Sequence, residues 1–161
     1  MKKTKTNNLT VRALTEKDAF LYYKIATNEP EMRKFTPFFI VTDIQDAQDK
    51  IRSYTNRYEK MYGLFNKANR LVAVFDVSDD CIPNGASVHY FVGKKYRGQN
   101  LAYTGILKLA DLLAHKYEHF KFVVNNHNFA SSGVQKKLGS VQLTEEKDLG
   151  YTTFMYKTLS C

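Results

Sequence analysis

Short hydrophobic stretches, some continuous and some alternating with polar residues, predict seven β-strands along the chain. Turn-forming polar residues at 66–69 and 79–85 separate the second, third and fourth of these stretches. The strands are predicted at residues 9–14, 64–65, 71–77, 86–92, 120–124, 141–144 and 150–158.

Hydrophobic residues at helical spacing mark the segments between these strands. Thr15 has the position of a helix N-cap and begins a predicted helix that runs to about Asn28. Residues Thr42 to Gln45 form a capping box that predicts the start of a second helix. A stripe of apolar residues every three or four positions extends that helix to Met61. The stripe consists of Ile44, Ala47, Ile51, Tyr54, Tyr58 and Met61.

Two further helices are predicted in the second half of the chain. One covers about residues 99–117, and a shorter one covers 128–138 and ends at Gly139, a residue that favours helix termination. The resulting order is β-α-α-β-β-β-α-β-α-β-β. A strand, a helix and a strand in the middle imply a parallel crossover, whereas the flanking strands permit hairpins. The sequence therefore predicts an α/β (α+β) fold with a mixed sheet.

Length and composition add few further constraints. The 161 residues suit one domain at 9–161, preceded by a flexible basic tail at 1–8. No run approaches the roughly 18 apolar residues that span a bilayer. The basic N-terminus is followed by no apolar segment, so we expect a cytoplasmic protein without membrane association. The two cysteines, Cys81 and Cys161, are too few for a disulfide framework.

The positive charge is concentrated in one part of the sequence. The formal net charge is +8, and residues 91–140 hold eight Lys or Arg against Asp111 and Glu118, a local excess of +6. A local basic field favours an anionic partner. Nucleic acid and a phosphorylated cofactor are the two candidates.

Residues 88–102 run from a predicted strand through a basic, glycine-containing loop directly into a helix. The first N–H groups of a helix are unpaired and carry the positive end of its dipole, so they can bind phosphate. The forked guanidinium of Arg97 suits phosphate oxygens. The same pattern is also compatible with a plain turn that carries solvated lysines.

Two motifs carry a resemblance to a known family. Arg97 to Ala102 resembles motif A of the GNAT superfamily of acyl-CoA-dependent N-acetyltransferases, with Asn100 at the position of its central glycine. Asn tolerates the left-handed backbone that this glycine would adopt. Asn128, Ser131, Lys137 and Gly139 resemble the second motif of the branch that acetylates the N-termini of ribosomal proteins. The resemblance covers about residues 9–158.

The resemblance implies a twisted mixed sheet of six or seven strands with helices on both faces, in which strands four and five separate to admit the pantetheine arm of acetyl-CoA. It assigns backbone groups of Phe91 and Val92 to the pantetheine and the thioester carbonyl. It places Asn128 and Ser131 near the pantetheine and the sulfur. The implied pyrophosphate cradle consists of Arg97, Gly98, Gln99, Asn100, Leu101 and Ala102.

Two residues that are catalytic in many members of this family are replaced in this chain. Many relatives place a Tyr acid seven residues after the motif Asn, where this chain has Gln135. Ser131 is the candidate that donates a proton to the sulfur or orients a water there, or it only caps its helix.

Many relatives carry Glu at the position of Ser87. Strand alternation puts His89 on the same face as Ser87, and histidine titrates near neutral pH, so His89 is either the base or a packed structural residue. Asp76 is a reserve candidate, or a solvated or turn-capping residue.

The acceptor side follows from the same resemblance. Phe35 and Phe38, with Ser87, are expected to shape the entry of the amine, although Phe35 and Phe38 are equally explained by core packing. His115 and His119 have a spacing compatible with a metal site but no evident partner ligand, so no metal is predicted.

The predicted function is acetyl-CoA-dependent transfer of an acetyl group to a primary amine, either a protein N-terminus or a small molecule. Direct transfer would take place while both substrates are bound. The alternatives are a non-catalytic CoA-binding module and a basic RNA- or ribosome-binding module, although no nucleic-acid partner is expected. A monomer or a homodimer is expected.

Overall fold

The computed structural model describes residues 8–158, which form a seven-stranded sheet. The strand order across the sheet is β1-β2-β3-β4-β5-β7-β6. Residues 1–7 of the predicted basic tail, and Cys161, lie outside the described residues. The strands are β1 (Thr10–Ala13), β2 (Glu59–Phe65), β3 (Leu71–Asp79), β4 (Gly85–Val92), β5 (His119–Asn125), β6 (Val141–Glu146) and β7 (Tyr151–Lys157).

Within residues 8–158, five α-helices cover the two faces of this sheet. They are α1 (Ala19–Ile25), α2 (Pro30–Phe35), α3 (Ile44–Ser53), α4 (Leu101–Leu113) and α5 (Phe129–Leu138). Short 3₁₀ turns occupy Glu16–Asp18, Pro37–Phe39 and Lys94–Tyr96. One core joins α4 to the sheet and includes Ile106 and Phe75, with Val134 of α5 packed against it. A second core joins α1, α2 and α3 to the opposite face. The predicted sheet of six or seven strands, with helices on both faces, is confirmed.

The sheet is mixed, as predicted. Strands β1 to β4 form an antiparallel meander. Helix α4 then carries the chain over to β5, which is parallel to β4. Strand β7 pairs antiparallel with β5, and β6 forms the edge. Strand β3 is buried on both faces, which explains its nearly continuous hydrophobic sequence.

Strands β4 and β5 pair only at their first residues. The recorded pairs join Gly85 to His119, Ala86 to Phe120 and Ser87 to Lys121. Strand β4 continues to Val92 and β5 to Asn125 without further pairing between them. The two central strands therefore separate toward their carboxyl ends, as the family resemblance implies.

The predicted long helix that ends at Met61 is wrong. Helix α3 ends at Ser53, and Glu59 begins β2. The side-chain amide oxygen of Asn56 accepts hydrogen bonds from the backbone N–H groups of Tyr58 and Glu59, which fixes a turn between the two elements. Tyr58 is 61% exposed, so its place in the stripe is fortuitous. Met61 is buried, but as a strand residue paired with Asp76.

Smaller differences concern helix ends. The second predicted helix begins one residue later than its capping box implies, because the Asp43 side chain caps it by accepting a hydrogen bond from the Asp46 N–H. The first predicted helix is shorter and ends at Ile25. Helix α2 was not predicted; Glu29 caps it, and Pro30 occupies its first position. Among residues 8–158, no helix is long and apolar enough to cross a membrane.

Candidate active site

The open ends of β4 and β5 border two adjoining cavities. The first has a volume of about 350 Å³ and extends toward α2 and the N-terminus of α4. The second has a volume of about 320 Å³ and extends along β5 toward His89 and Tyr151. Two substrates that enter from opposite sides would therefore meet at the strand gap. The residues that line both cavities are Phe35, Thr36, Tyr90, Asn128 and Ser131.

The first cavity ends at the loop that leads into α4. Gly98 and Asn100 adopt left-handed backbone conformations, with φ of 74° and 62°. The conformation of Asn100 confirms that asparagine can replace glycine at this point of the loop. The Asn100 side chain does not cap the helix; its amide oxygen accepts a hydrogen bond from Lys137 Nζ at 2.8 Å. With no cap from this side chain, the first N–H groups of α4 are suited to an anionic ligand.

Arg97 lines the first cavity, but it is engaged by two carboxylates of the α2 segment. Its guanidinium donates to Glu29 at 2.6 Å and forms an ion pair with Glu31. Its Nε also donates to the Val92 carbonyl oxygen at 3.2 Å. Burial alone would raise the pKa of Glu29, but hydrogen bonds from Arg97 and from two backbone N–H groups hold that pKa below its ordinary value. The predicted phosphate ligand is thus already paired with protein acids.

Helix α5 brings its first turn to the strand gap. The Asn128 side chain caps the helix by accepting a hydrogen bond from the Ser131 N–H at 3.1 Å. Ser131 therefore stands in the first helical turn, as its motif predicts. Its hydroxyl oxygen lies 2.7 Å from the Tyr90 hydroxyl oxygen.

Tyr90 belongs to neither sequence motif and was not predicted as a site residue. Strand alternation puts its side chain on the face opposite His89, and that signal was present in the sequence. Its distance to Ser131, 41 positions later, is a result of the fold. Burial raises the pKa of Tyr90, and the hydrogen bond with Ser131 only partly offsets this effect. The phenol is accordingly protonated at neutral pH.

His89 lines the second cavity, and Asp76 lies directly behind it. They are direct cross-strand neighbours on β4 and β3. The separation of His89 Nδ1 from Asp76 Oδ2 is 3.8 Å, which is too long for a direct hydrogen bond but close enough for electrostatic attraction. Asp76 is only 5% exposed, so the interpretation as a solvated residue is wrong. The Phe38 and His89 rings pack nearly perpendicular to each other at a centroid distance of 5.3 Å.

A second carboxyl lies beside Asp76. Burial and the neighbouring Asp76 raise the pKa of Glu59. Within residues 8–158, Asp76 Oδ1 and His89 Nδ1 are buried and have no hydrogen-bond partner. This part of the site thus contains an imidazole beside one buried carboxyl, Asp76, with the half-buried carboxyl of Glu59 next to it.

The structure gathers most of the predicted site residues. Every predicted cofactor-binding residue except Gln99 lines the first cavity, and Gln99 is exposed. Phe35 lines both cavities and Phe38 lines the second. Ser87 lines neither, because it lies in the paired part of β4, opposite Lys121 of β5. In the part of the chain from 8 to 158, no group of three or more His, Cys, Asp or Glu is arranged to hold a metal.

Comparison with known families gives one sequence match and many structural ones. The model of the acetyltransferase (GNAT) domain family matches residues 8–141. No curated protein sequence matches the chain at a significant level. Many solved structures share its fold.

Three of these structures illustrate the similarity. RimL, a ribosomal L7/L12 α-N-protein acetyltransferase in complex with coenzyme A, is 16% identical with a TM-score of 0.79, over 93% of this chain and 94% of that chain. An acetyltransferase from Salmonella typhimurium that modifies the N-terminal serine of ribosomal protein L7/L12 is 18% identical, with a TM-score of 0.78 and the same coverage of 93% and 94%. Spermidine N-acetyltransferase from Vibrio cholerae, in complex with CoA and spermine, is 12% identical with a TM-score of 0.80, over 96% and 98%. At these identities, the likeness establishes the fold.

Proposed function

The chain belongs to the GNAT acetyltransferase family, and from this premise we propose that it transfers an acetyl group directly from acetyl-CoA to a primary amine. The observation that carries the proposal is the pair of cavities that meet where β4 and β5 separate. One cavity can take the thioester and the other the amine, so that the two reacting groups are held together without a covalent enzyme intermediate.

The first cavity fits the anionic cosubstrate. The α4 N-terminus and the left-handed loop would hold the pyrophosphate, and the edge of β4 that β5 leaves unpaired would hold the pantetheine amides. Phe91 and Val92 lie on this edge of β4. A backbone N–H donor at this edge would also stabilise the negative charge that develops on the thioester oxygen.

The second cavity fits the amine. An alkylamine has an ordinary pKa near 10 and must lose a proton before it attacks. His89 would accept that proton, and Asp76 at 3.8 Å would stabilise the resulting imidazolium. The amine nitrogen then forms a bond to the carbonyl carbon, and the carbon–sulfur bond breaks. Ser131, at the junction of the cavities, would assist the departure of the sulfur.

The acceptor is proposed as a protein N-terminus or a small amine. The related structures are described as enzymes for a ribosomal protein N-terminus and for spermidine. The rings of Phe35, Phe38 and Tyr151 line the second cavity and suit the apolar part of either acceptor. The alternatives of a non-catalytic CoA-binding module and an RNA-binding module are not favoured, because the matching family is one of acetyltransferases.

Two measurements test the proposal. Ligand that binds only the folded protein raises its thermal stability, so acetyl-CoA and CoA should raise the melting temperature whereas a short oligonucleotide should not. A panel of N-terminal peptides and polyamines is then assayed for release of free thiol. The absence of any melting shift with saturating acetyl-CoA, or of thiol release above hydrolysis with every amine, would contradict the proposed function.

A further inference from the structure

Tyr90 places a phenol at the junction of the two cavities. Its ring lies between Phe75 and Phe122, with centroid distances of 5.9 and 6.2 Å. Its hydroxyl reaches across the strand gap to Ser131 of α5, with 2.7 Å between the oxygens. A phenylalanine could pack in the same place, so the hydroxyl itself needs an explanation.

Thioester aminolysis is assisted by a proton donor at the departing sulfur, and such a hydroxyl can supply that proton. The departing sulfur carries negative charge, and a proton donor lowers the cost of its departure. On α5, Gln135 carries an amide, which cannot serve as an acid. Gln135 is fully buried, and its side-chain oxygen accepts a hydrogen bond from Ser140 at 2.8 Å.

We propose that Tyr90 acts through Ser131 to protonate the leaving sulfur, an inference that depends on the proposed acetyltransferase function. As the carbon–sulfur bond breaks, the Ser131 hydroxyl transfers its proton to the sulfur. Ser131 takes the Tyr90 proton in the same step, and a phenolate remains on Tyr90. The attacking amine gives one proton to His89, which passes it to solvent. Solvent returns one proton to the Tyr90 phenolate, so the overall reaction neither gains nor loses a proton. Tyr90 is therefore a positioning and relay residue, and Ser131 touches the reacting atom.

The relay is feasible even though burial raises the pKa of Tyr90 above its ordinary value. A phenol has an ordinary pKa near 10, within about two units of a thiol. Burial disfavours the phenolate, but the departing thiolate is in the same enclosed gap. The transfer therefore moves one negative charge within one environment instead of creating a new buried charge. The N-terminus of the ten-residue α5 lies beside Ser131 and favours negative charge there.

The matched pair of variants is Tyr90→Phe and Tyr156→Phe. Both remove one hydroxyl from a phenol that packs on the same core, but Tyr156 lines neither cavity. We expect Tyr90→Phe to lower kcat at saturating substrates by about tenfold or more, which is less than the roughly 100-fold or more of a full general acid because Ser131 remains. The dissociation constant for CoA, measured by calorimetry, should stay within twofold, and Tyr156→Phe should match the wild-type protein in both values.

A double-mutant cycle with Ser131→Ala separates a relay from two unrelated roles. If the hydroxyls act as one unit, the double variant loses no more activity than the more damaging single variant. Multiplicative losses would overturn the inference, as would an unchanged kcat in Tyr90→Phe or a loss confined to CoA affinity.

These outcomes are distinct from a failure of the proposed function. That failure would appear in the wild-type protein, as no acetyl-CoA binding or no turnover of any amine. A wild-type enzyme that acetylates an amine while Tyr90→Phe is equally fast would leave the acetyltransferase in place and remove only the relay.

Discussion

The two cavities differ in how the chain builds them. The main wall of the first cavity, the proposed cosubstrate site, comes from one continuous segment, residues 90–103. This segment contains the end of β4, the loop and the start of α4. The second cavity, the proposed acceptor site, is lined by residues of the α2 region, β4, β5 and β7, which are far apart in sequence. A site on one segment leaves a motif in the sequence, whereas a site assembled from many elements does not.

The charged groups differ in the same way. On the cosubstrate side, Arg97 pairs with Glu29 and Glu31 and holds the pKa of Glu29 low despite its burial. On the acceptor side, burial and Asp76 raise the pKa of Glu59. The difference implies that the proposed anionic cosubstrate would compete with existing ion pairs for Arg97, whereas the half-buried Glu59 beside Asp76 is disfavoured in its charged form.

The largest expected effect comes from a substitution in the second cavity that should leave cosubstrate binding unchanged. His89→Gln removes the group that takes the amine proton and should lower kcat by about 100-fold near neutral pH, in the usual range for a general base. The acidic limb of the pH–rate profile should disappear, and CoA affinity should stay within twofold. His115→Gln, outside both cavities, is the control. An unchanged profile in His89→Gln would make His89 a packed structural residue.

The next largest effect comes from a substitution in the first cavity that should weaken cosubstrate binding alone. Arg97→Ala removes a cation and leaves two carboxylates near the pyrophosphate position. We expect the dissociation constant for acetyl-CoA to rise about tenfold, since a hydrogen bond to a charged group contributes about 1.5–3 kcal/mol and Arg97 must first leave its acids. Calorimetry checks the affinity, and kcat at saturation should be nearly unchanged. A fall in kcat with unaltered affinity would contradict this division of roles.

The opposite change on the same side should strengthen binding. Glu31→Gln removes one competitor for Arg97 without removing the Glu29 cap of α2. The dissociation constant for acetyl-CoA should fall about threefold, within the small range measured for exposed ion pairs. Glu145→Gln, on the exposed edge strand β6, is the control. Weaker binding in Glu31→Gln would mean that Glu31 supports the site.

The smallest expected effects concern how folding stability depends on pH, and they compare the carboxyl groups of Glu29 and Glu59. The lowered pKa of Glu29 contributes stability above its unfolded-state pKa, and this stability is lost as pH falls through its folded-state pKa. The raised pKa of Glu59 acts in reverse, because its contribution is largest when it is protonated and is lost as pH rises through its folded-state pKa.

At pH 7, Glu29→Gln should therefore lower the melting temperature and Glu59→Gln should raise it, each by no more than about 3 °C. Melting curves between pH 4 and pH 8 provide the measurement. Shifts of the same sign in both variants at pH 7 would contradict the assignment of opposite pKa directions.

The sequence predicted the fold well where a local pattern has one solution. The strands from residue 71 onward and the two later helices were predicted with small errors at their ends, because alternation and capping depend on neighbouring residues. The long helix to Met61 failed because helical spacing and strand alternation both place Met61 on a buried face. Only the turn at Asn56 and the pairing with β3 distinguish the two.

The sequence by itself determined the loop from Arg97 to Ala102, the α5 cap at Asn128 and the parallel crossover, since each depends on residues close together in the chain. Tertiary structure alone decided that Tyr90 meets Ser131, that Asp76 is buried behind His89 and that Arg97 is paired with two glutamates. Those contacts join residues 13 to 68 positions apart. The physical reason is that strand register and the docking of helices on the sheet set such distances, and no local pattern of residues records them.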